Sequence, residues 1–175
     1  MNTYKLDPSH SYVGFKVKHM MITYVNGNFT EFDIKMTSPT DNICDANIDF
    51  YCNTNSISTN IKDRDDHLKS DDFFDCEKYP SLIFKSKNIE KSDENKYKIG
   101  GDLTIKNITL PIYLDCKYNG SNVDIYNKTK YGFELFGKIN RNDFGLAFNK
   151  LNGKCDVMVD DEIKLIINIQ MIKNG

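Results

Sequence analysis

Residues 13–18 read VGFKVK, so that Val13, Phe15 and Val17 alternate with Gly14, Lys16 and Lys18. Successive side chains of a β-strand point to opposite faces, and this beat puts apolar groups on one face and lysines on the other. The beat returns with Phe32, Ile34 and Met36 against Glu31, Asp33 and Lys35, and again with Cys44, Ala46, Ile48 and Phe50 against Asp45, Asn47 and Asp49. It continues through residues 82–89, 97–105, 112–118, 131–139 and 163–171. The pattern predicts about eight strands, many of them long.

Turn formers separate these stretches: VNGN at 25–28, SPTDN at 38–42, KSDENK at 91–96 and YNGSN at 118–122. Such residues tolerate positive φ or hydrogen-bond their own backbone, and short turns imply antiparallel neighbours. A strand wetted on one face needs the other face covered. With almost no helix in the pattern, the sheet must close on itself or pack on a second sheet. GGD at 100–102 lacks the context of a phosphate-binding loop and reads as a bulge or kink in a strand.

The chain has 175 residues, 39% hydrophobic and 27% charged, which fits one globular domain spanning residues 1–175. Lys plus Arg number 23 against 25 Asp plus Glu, a formal charge of -2, so nothing recommends nucleic acid as a partner. No apolar run approaches the length of a membrane span, and the polar opening MNTYKLDPSHS points to a cytoplasmic protein. Five cysteines without a CxxC pair suggest buried thiols rather than disulfides or zinc.

The densest charge lies in KDRDDHLKSDDFFD, residues 62–75. Counted from Asp63 as an EF-hand loop, the sixth position is Leu68 and the twelfth Phe74 where glycine and glutamate belong, so no calcium loop is expected. The three histidines, His10, His19 and His67, lack zinc-helix spacing, and there is no nucleophile elbow. The expected metal is none and the expected catalytic set is none. The stretch reads instead as a short helical connector over residues 63–76, with Leu68, Phe73 and Phe74 inward and the charges wet. Inward faces elsewhere carry many of the eleven phenylalanines and ten tyrosines. Periodicity alone leaves two readings open, a dry core or a barrel wide enough for an apolar ligand.

Taken in order, LDPSHSYVGFKVKHM (6–20), NGNF (26–29), RDDHLKSDDFFDCEKYPSLIFKS (64–86), GDLTI (101–105), LPI (110–112) and INRNDFGL (139–146) resemble the YceI-like family of polyisoprenoid-binding proteins. The resemblance implies an all-β fold, an extended antiparallel lipocalin-like barrel whose lumen holds a long lipid such as an isoprenoid quinone or polyprenyl compound. It implies non-enzymatic carriage, storage or sequestration of that lipid, with no other cofactor, often as a homodimer. The implied lumen residues are Val13, Phe15, Val17, Met20, Met21, Phe32, Ile34, Ile48, Phe50, Phe84, Leu103, Leu114, Phe133, Leu135, Leu165 and Ile167. Asp7, His10, Arg64, Asp65 and Arg141 fall inside the matching motifs and are expected to form one structural polar network near the barrel end. Many relatives are exported, whereas the cytoplasmic expectation here allows only transient membrane contact. Two alternatives accompany the carrier: a stress protein sequestering fatty acids, fatty amides or hydrophobic drugs, and a lipid-modifying enzyme using His10 with Asp7 or Asp65 near the barrel mouth.

Overall fold

The computed structural model describes residues 1–148 and 158–174. Its strands are β1 (Asn2–Leu6), β2 (Tyr12–His19), β3 (Thr23–Phe29), β4 (Phe32–Ser38), β5 (Asn47–Asn53), β6 (Ile57–Ser58), β7 (Ser81–Asp93), β8 (Lys96–Ile105), β9 (Ile108–Val123), β10 (Thr129–Asn140) and β11 (Val159–Lys173), with one helix, α1 (Lys62–Lys69). Every pairing is antiparallel, and β1 pairing with β11 closes an eight-strand ring. Closure removes the long unpaired edges that alternating strands would otherwise expose.

Three neighbouring staves of the barrel are broken rather than continuous. β1 and β2 both lie along β11, β3 and β4 follow one another across from them, and β5 is succeeded by the short β6. Pro8 cannot donate to a ladder and starts a single turn of 3₁₀ helix between β1 and β2. Asn53 caps the equivalent turn between β5 and β6 by accepting from the Asn55 N–H. Interruptions of this type let a twisted sheet bend sharply enough to close.

Two turn assignments made from composition are displaced. Residues 25–28 lie inside β3, and the hairpin before them turns at Met20 and Met21, with Ile22 N–H donating to the His19 carbonyl. Residues 118–122 lie inside β9, which carries a register shift against β10 there, and the chain reverses at 124–128. Asn-Gly does not force reversal where cross-strand packing continues the ladder. The bulge or kink expected at 100–102 falls instead in the partner strand β7, as a bulge opposite Gly100 and Gly101.

Register places the apolar faces together. Val13, Phe15 and Val17 pair with Ile167, Leu165 and Ile163; Phe50 and Leu103 flank Phe84; Leu135 faces Cys116. At one end α1 and the following turns cross the barrel, with Phe74 edge-on to Phe29 at 5.9 Å. Residues 141–148 lie at that end too, where Gly145 caps a 3₁₀ turn at φ 72°, a conformation that glycine adopts without Cβ strain. At the other end Tyr4 meets Tyr131 edge-on at 5.5 Å and Tyr118 leans on Phe133 at 5.3 Å.

Candidate functional site: an apolar lumen

The barrel encloses a cavity of about 220 Å³ whose walls are almost entirely carbon and sulfur. On β11 its lining runs through Ile163, Leu165, Ile167, Ile169 and Met171. That is roughly 26 Å of strand, or roughly 20 Å along the barrel axis at ordinary strand tilt. The cavity is therefore long and narrow. The tyrosine end is filled, since Tyr4, Tyr97, Tyr118 and Tyr131 pack into the core without lining the space. At the other end the lining passes to Leu68, Phe73 and Phe74 beneath α1, and to Arg141, Leu146 and Val159.

Of the residues that the resemblance implied, Val13, Phe15, Val17, Ile34, Ile48, Phe50, Phe84, Leu103, Leu114, Phe133, Leu135, Leu165 and Ile167 line the cavity. Met20, Met21 and Phe32 do not. Met20 and Met21 form the β2–β3 turn and are 43% and 58% exposed, because alternation ends where the chain reverses. Phe32 stands at the break between β3 and β4 and lays its ring against Phe50, centroids 6.3 Å apart. Strand periodicity missed Leu68 and Phe73, which the connector supplies, and Cys52 and Cys116, which read as generic small buried residues. Burial pushes both lining thiols up to about 12, so they are neutral and poorly nucleophilic.

The expected polar network is three separate clusters. Asp7 Oδ2 accepts from Lys130 Nζ at 2.9 Å and Gln170 Nε2 at 2.9 Å, and lies 3.1 Å from His10 Nδ1. The bond from Lys130 chiefly, helped by His10 and Gln170, holds this carboxyl at about 2. Gln170 falls between two lining residues and so faces outward, and His10, 62% exposed at its side chain, belongs to the outer wall rather than a mouth. The second cluster gathers on Thr59, whose N–H and hydroxyl donate to Asp65 Oδ1 at 2.7 and 2.6 Å while Arg64 donates to its hydroxyl and carbonyl oxygens. This fastens α1 to β6.

Arg141 makes the third cluster. It is 3% exposed and donates to the carbonyls of Phe148 at 2.8 Å and Asp160 at 3.0 Å, and to that of Leu146. A weaker contact reaches Asp161 Oδ1 at 3.4 Å. Its guanidinium thus ties residues 146–148 to the start of β11, and burial lowers its affinity for the proton. The dense charges of 62–75 remain on the wet side, where Lys62 pairs with Asp66 and His67 Nε2 lies 2.7 Å from Asp72. Among the described residues no three His, Cys, Asp or Glu converge as metal ligands.

A family model, the YceI-like domain, matches residues 4–171. The chain belongs to the YceI-like family. The YceI protein of Escherichia coli O157:H7 is 33% identical over 173 residues, covering 97% of this chain and 86% of that protein. The crystal structure of a Campylobacter jejuni YCEI protein superposes with a TM-score of 0.77 at 35% identity, covering 97% of each chain. A polyisoprenoid binding domain from Saccharophagus degradans shares the fold at a TM-score of 0.70 and 11% identity, covering 98% of each chain. The YceI-like barrel described here contains no helix, among the described residues, that is long and apolar enough to cross a membrane.

Proposed function

We propose that this YceI-like barrel binds the hydrocarbon chain of a long amphiphile, an isoprenoid quinone, polyprenyl compound or similar lipid, and carries or stores it without chemical change. The observation that supports this is the long carbon-lined cavity, filled by tyrosines at one end and reaching the α1 end at the other. A solved domain of the same fold that is named for polyisoprenoid binding points to the same ligand class. Burying about ten methylene-sized units at ~0.8 kcal/mol each gives roughly 8 kcal/mol, near micromolar affinity before ordering costs. A short acyl chain binds weakly on that scale, and a long one gains the full length of the lumen.

The placement of the groups that could react is in keeping with binding: the Asp7 and His10 pair lies on the outer wall, and the thiols of Cys52 and Cys116 are held neutral. Among the described residues Arg141 is the one charged lining side chain, and backbone carbonyls already occupy its guanidinium. A lumen that grips the chain and leaves the head group to solvent favours tolerance among long amphiphiles, which keeps fatty acids and fatty amides as a second ligand class. The free thiols Cys44, Cys52, Cys76 and Cys116 suit a reducing compartment such as the cytoplasm. A homodimer remains part of this reading by family likeness alone.

Native mass spectrometry of the purified protein, followed by organic extraction, tests it. A co-purifying species with a long isoprenoid or acyl chain supports the carrier. Apo-protein that takes up neither added quinone nor fatty amide overturns it.

A further inference from the structure

The β2–β3 hairpin turns through two residues with positive φ, Met20 at 51° and Met21 at 58°. Turns of this geometry favour Asn and Gly, because a side chain with a Cβ is strained in the left-handed region. Here the strained positions hold methionines, and the tip they form with Ile22 is apolar and open, Ile22 being 82% exposed. Met20 N–H donates to the Met158 carbonyl at 2.8 Å, which anchors the hairpin beside the start of β11, where the cavity is lined by Val17, Val159 and Ile163.

The outer surface of the same staves carries the lysines Lys16, Lys18, Lys138 and Lys164, with Asp160, Asp161 and Glu162 at the start of β11 as its acidic neighbours. Lys16 stands directly opposite Lys164 across β2 and β11, and Lys164 directly opposite Lys138 across β11 and β10. Like charges facing one another across strands are unfavourable unless an anion joins them. Lys138 has Glu162 at 3.4 Å, but Lys16, Lys18 and Lys164 have no carboxylate within salt-bridge distance among the described residues. Lys16 and Lys164 instead lie over the ring of Tyr24, 5.0 and 5.4 Å from its centroid. A shallow groove continues this face past Lys98, Tyr113 and Phe136, with Asp115 as the acidic group in its lining. The whole chain carries a formal charge of -2, so this face runs against the sign of the molecule.

We propose that this face docks on an anionic lipid bilayer, the lysines meeting phosphate head groups and the Met20, Met21 and Ile22 tip entering the interface. Exposed apolar side chains flanked by lysines and an aromatic ring match the layered chemistry of a bilayer surface, in which anionic phosphates lie above acyl chains. The tip is placed where docking brings the α1 end of the cavity toward the membrane. The docking surface stands whatever the cavity holds; its use in lipid exchange rests on the carrier reading above.

The test is co-sedimentation of the full chain with vesicles of phosphatidylcholine alone and of phosphatidylcholine with one third phosphatidylglycerol. Binding is expected only to the anionic vesicles and weakens as salt rises. The exposed double substitutions Lys16→Glu with Lys164→Glu, and Met21→Asp with Ile22→Asp, should each weaken it at least roughly tenfold with the melting temperature unchanged. The sequence has no tryptophan, so Met21→Trp supplies a single reporter whose emission shifts to the blue on anionic vesicles alone. No sedimentation at low salt overturns the proposal, as does equal binding to neutral vesicles. So does a concentration-dependent dimer abolished by the tip substitutions in a protein that ignores vesicles. Vesicle binding by a protein that yields no extractable lipid and takes up neither added quinone nor fatty amide overturns the carrier and leaves the docking surface standing; lipid without vesicle binding does the reverse.

Discussion

The ring of Phe15 lies across the backbone of Gly27, its cross-strand partner, so closely that a Cβ on Gly27 would fall 2.3 Å from Phe15 Cζ. Phe84 covers Gly101 in the same way, Cζ 2.5 Å from the position of an added Cβ. In each case the glycine leaves room for a neighbouring ring to fold onto the wall instead of crossing the lumen. Gly27→Ala should therefore push Phe15 into the cavity and cost about 1–3 kcal/mol, the scale of overpacking. Denaturant unfolding reads the stability, and lipid loading of the same variant should fall. Unchanged loading would show that Phe15 does not border the occupied space.

Phe84 is 6% exposed, and its truncation removes a whole ring from the wall. Phe84→Ala should destabilise by about 3–5 kcal/mol and widen the lumen. His10→Ala, on the outer wall, should leave both the amount and the identity of extracted lipid as in the parent. A loss of lipid in His10→Ala alone would place the head group at Asp7 and His10 and revive a reactive role for that pair.

Arg141 joins residues 146–148 to β11 through several carbonyls at once. Arg141→Ala leaves these buried acceptors unmet and should cost on the order of 3–5 kcal/mol. Arg141→Lys should recover little of that, because an ammonium cannot reproduce the planar fork. Arg64→Ala, which frees only the two oxygens of Thr59, should lower the melting temperature by less. Equal effects at the two sites would contradict this ranking.

Asp7 gives stability a pH dependence of known sign. Its carboxyl lies at about 2 in the folded barrel against an ordinary 3.8. A depressed folded value stabilises above the unfolded value, and that contribution disappears as pH falls from about 4 to about 2. Its size is on the order of 2 kcal/mol. The stability gap between the parent and Asp7→Asn should be full at pH 6 and close on acidification across that window. A gap that persists at pH 2 would assign the cost of the substitution to something other than charge.

The lining thiols should resist alkylation in the native state. Cys52 is fully buried, Cys116 nearly so, and both are held protonated, whereas Cys44 is only half-buried. Peptide mapping after brief iodoacetamide treatment at pH 8 should find Cys44 modified well ahead of Cys52 and Cys116. Early labelling of Cys116 would mean that the barrel opens readily enough to exchange its contents through the wall.

What was legible in the sequence follows from what is periodic. The alternation at Val13, Phe15 and Val17 assigned an inner face that the register with Ile163, Leu165 and Ile167 keeps. Helical propensity and inward Leu68, Phe73 and Phe74 placed the connector. Position along the chain did not show that Asp7 pairs with Lys130, 123 residues away, or that Arg141 binds the carbonyls of both Phe148 and Asp160. Shared membership in family motifs suggested one network, yet hydrogen bonds act over about 3 Å and the three clusters lie on separate parts of the barrel.

The sequence by itself determined strands, their wet and dry faces and hence an all-β barrel or sandwich, because a period of two is a local property of the backbone, whereas the pairing of β1 with β11 that closes the ring belongs to the tertiary structure. Only the tertiary structure decided that Met20 and Met21 leave the lumen for an exposed tip and that the tyrosine end is filled while the α1 end is reached by the cavity. Those outcomes depend on strand register, closure and the breaks at Pro8, Thr30 and Thr54, which set where side chains from distant segments meet. Whether a barrel packs shut or keeps a channel is decided by the shared volume of all its inward side chains, and no single strand carries that information.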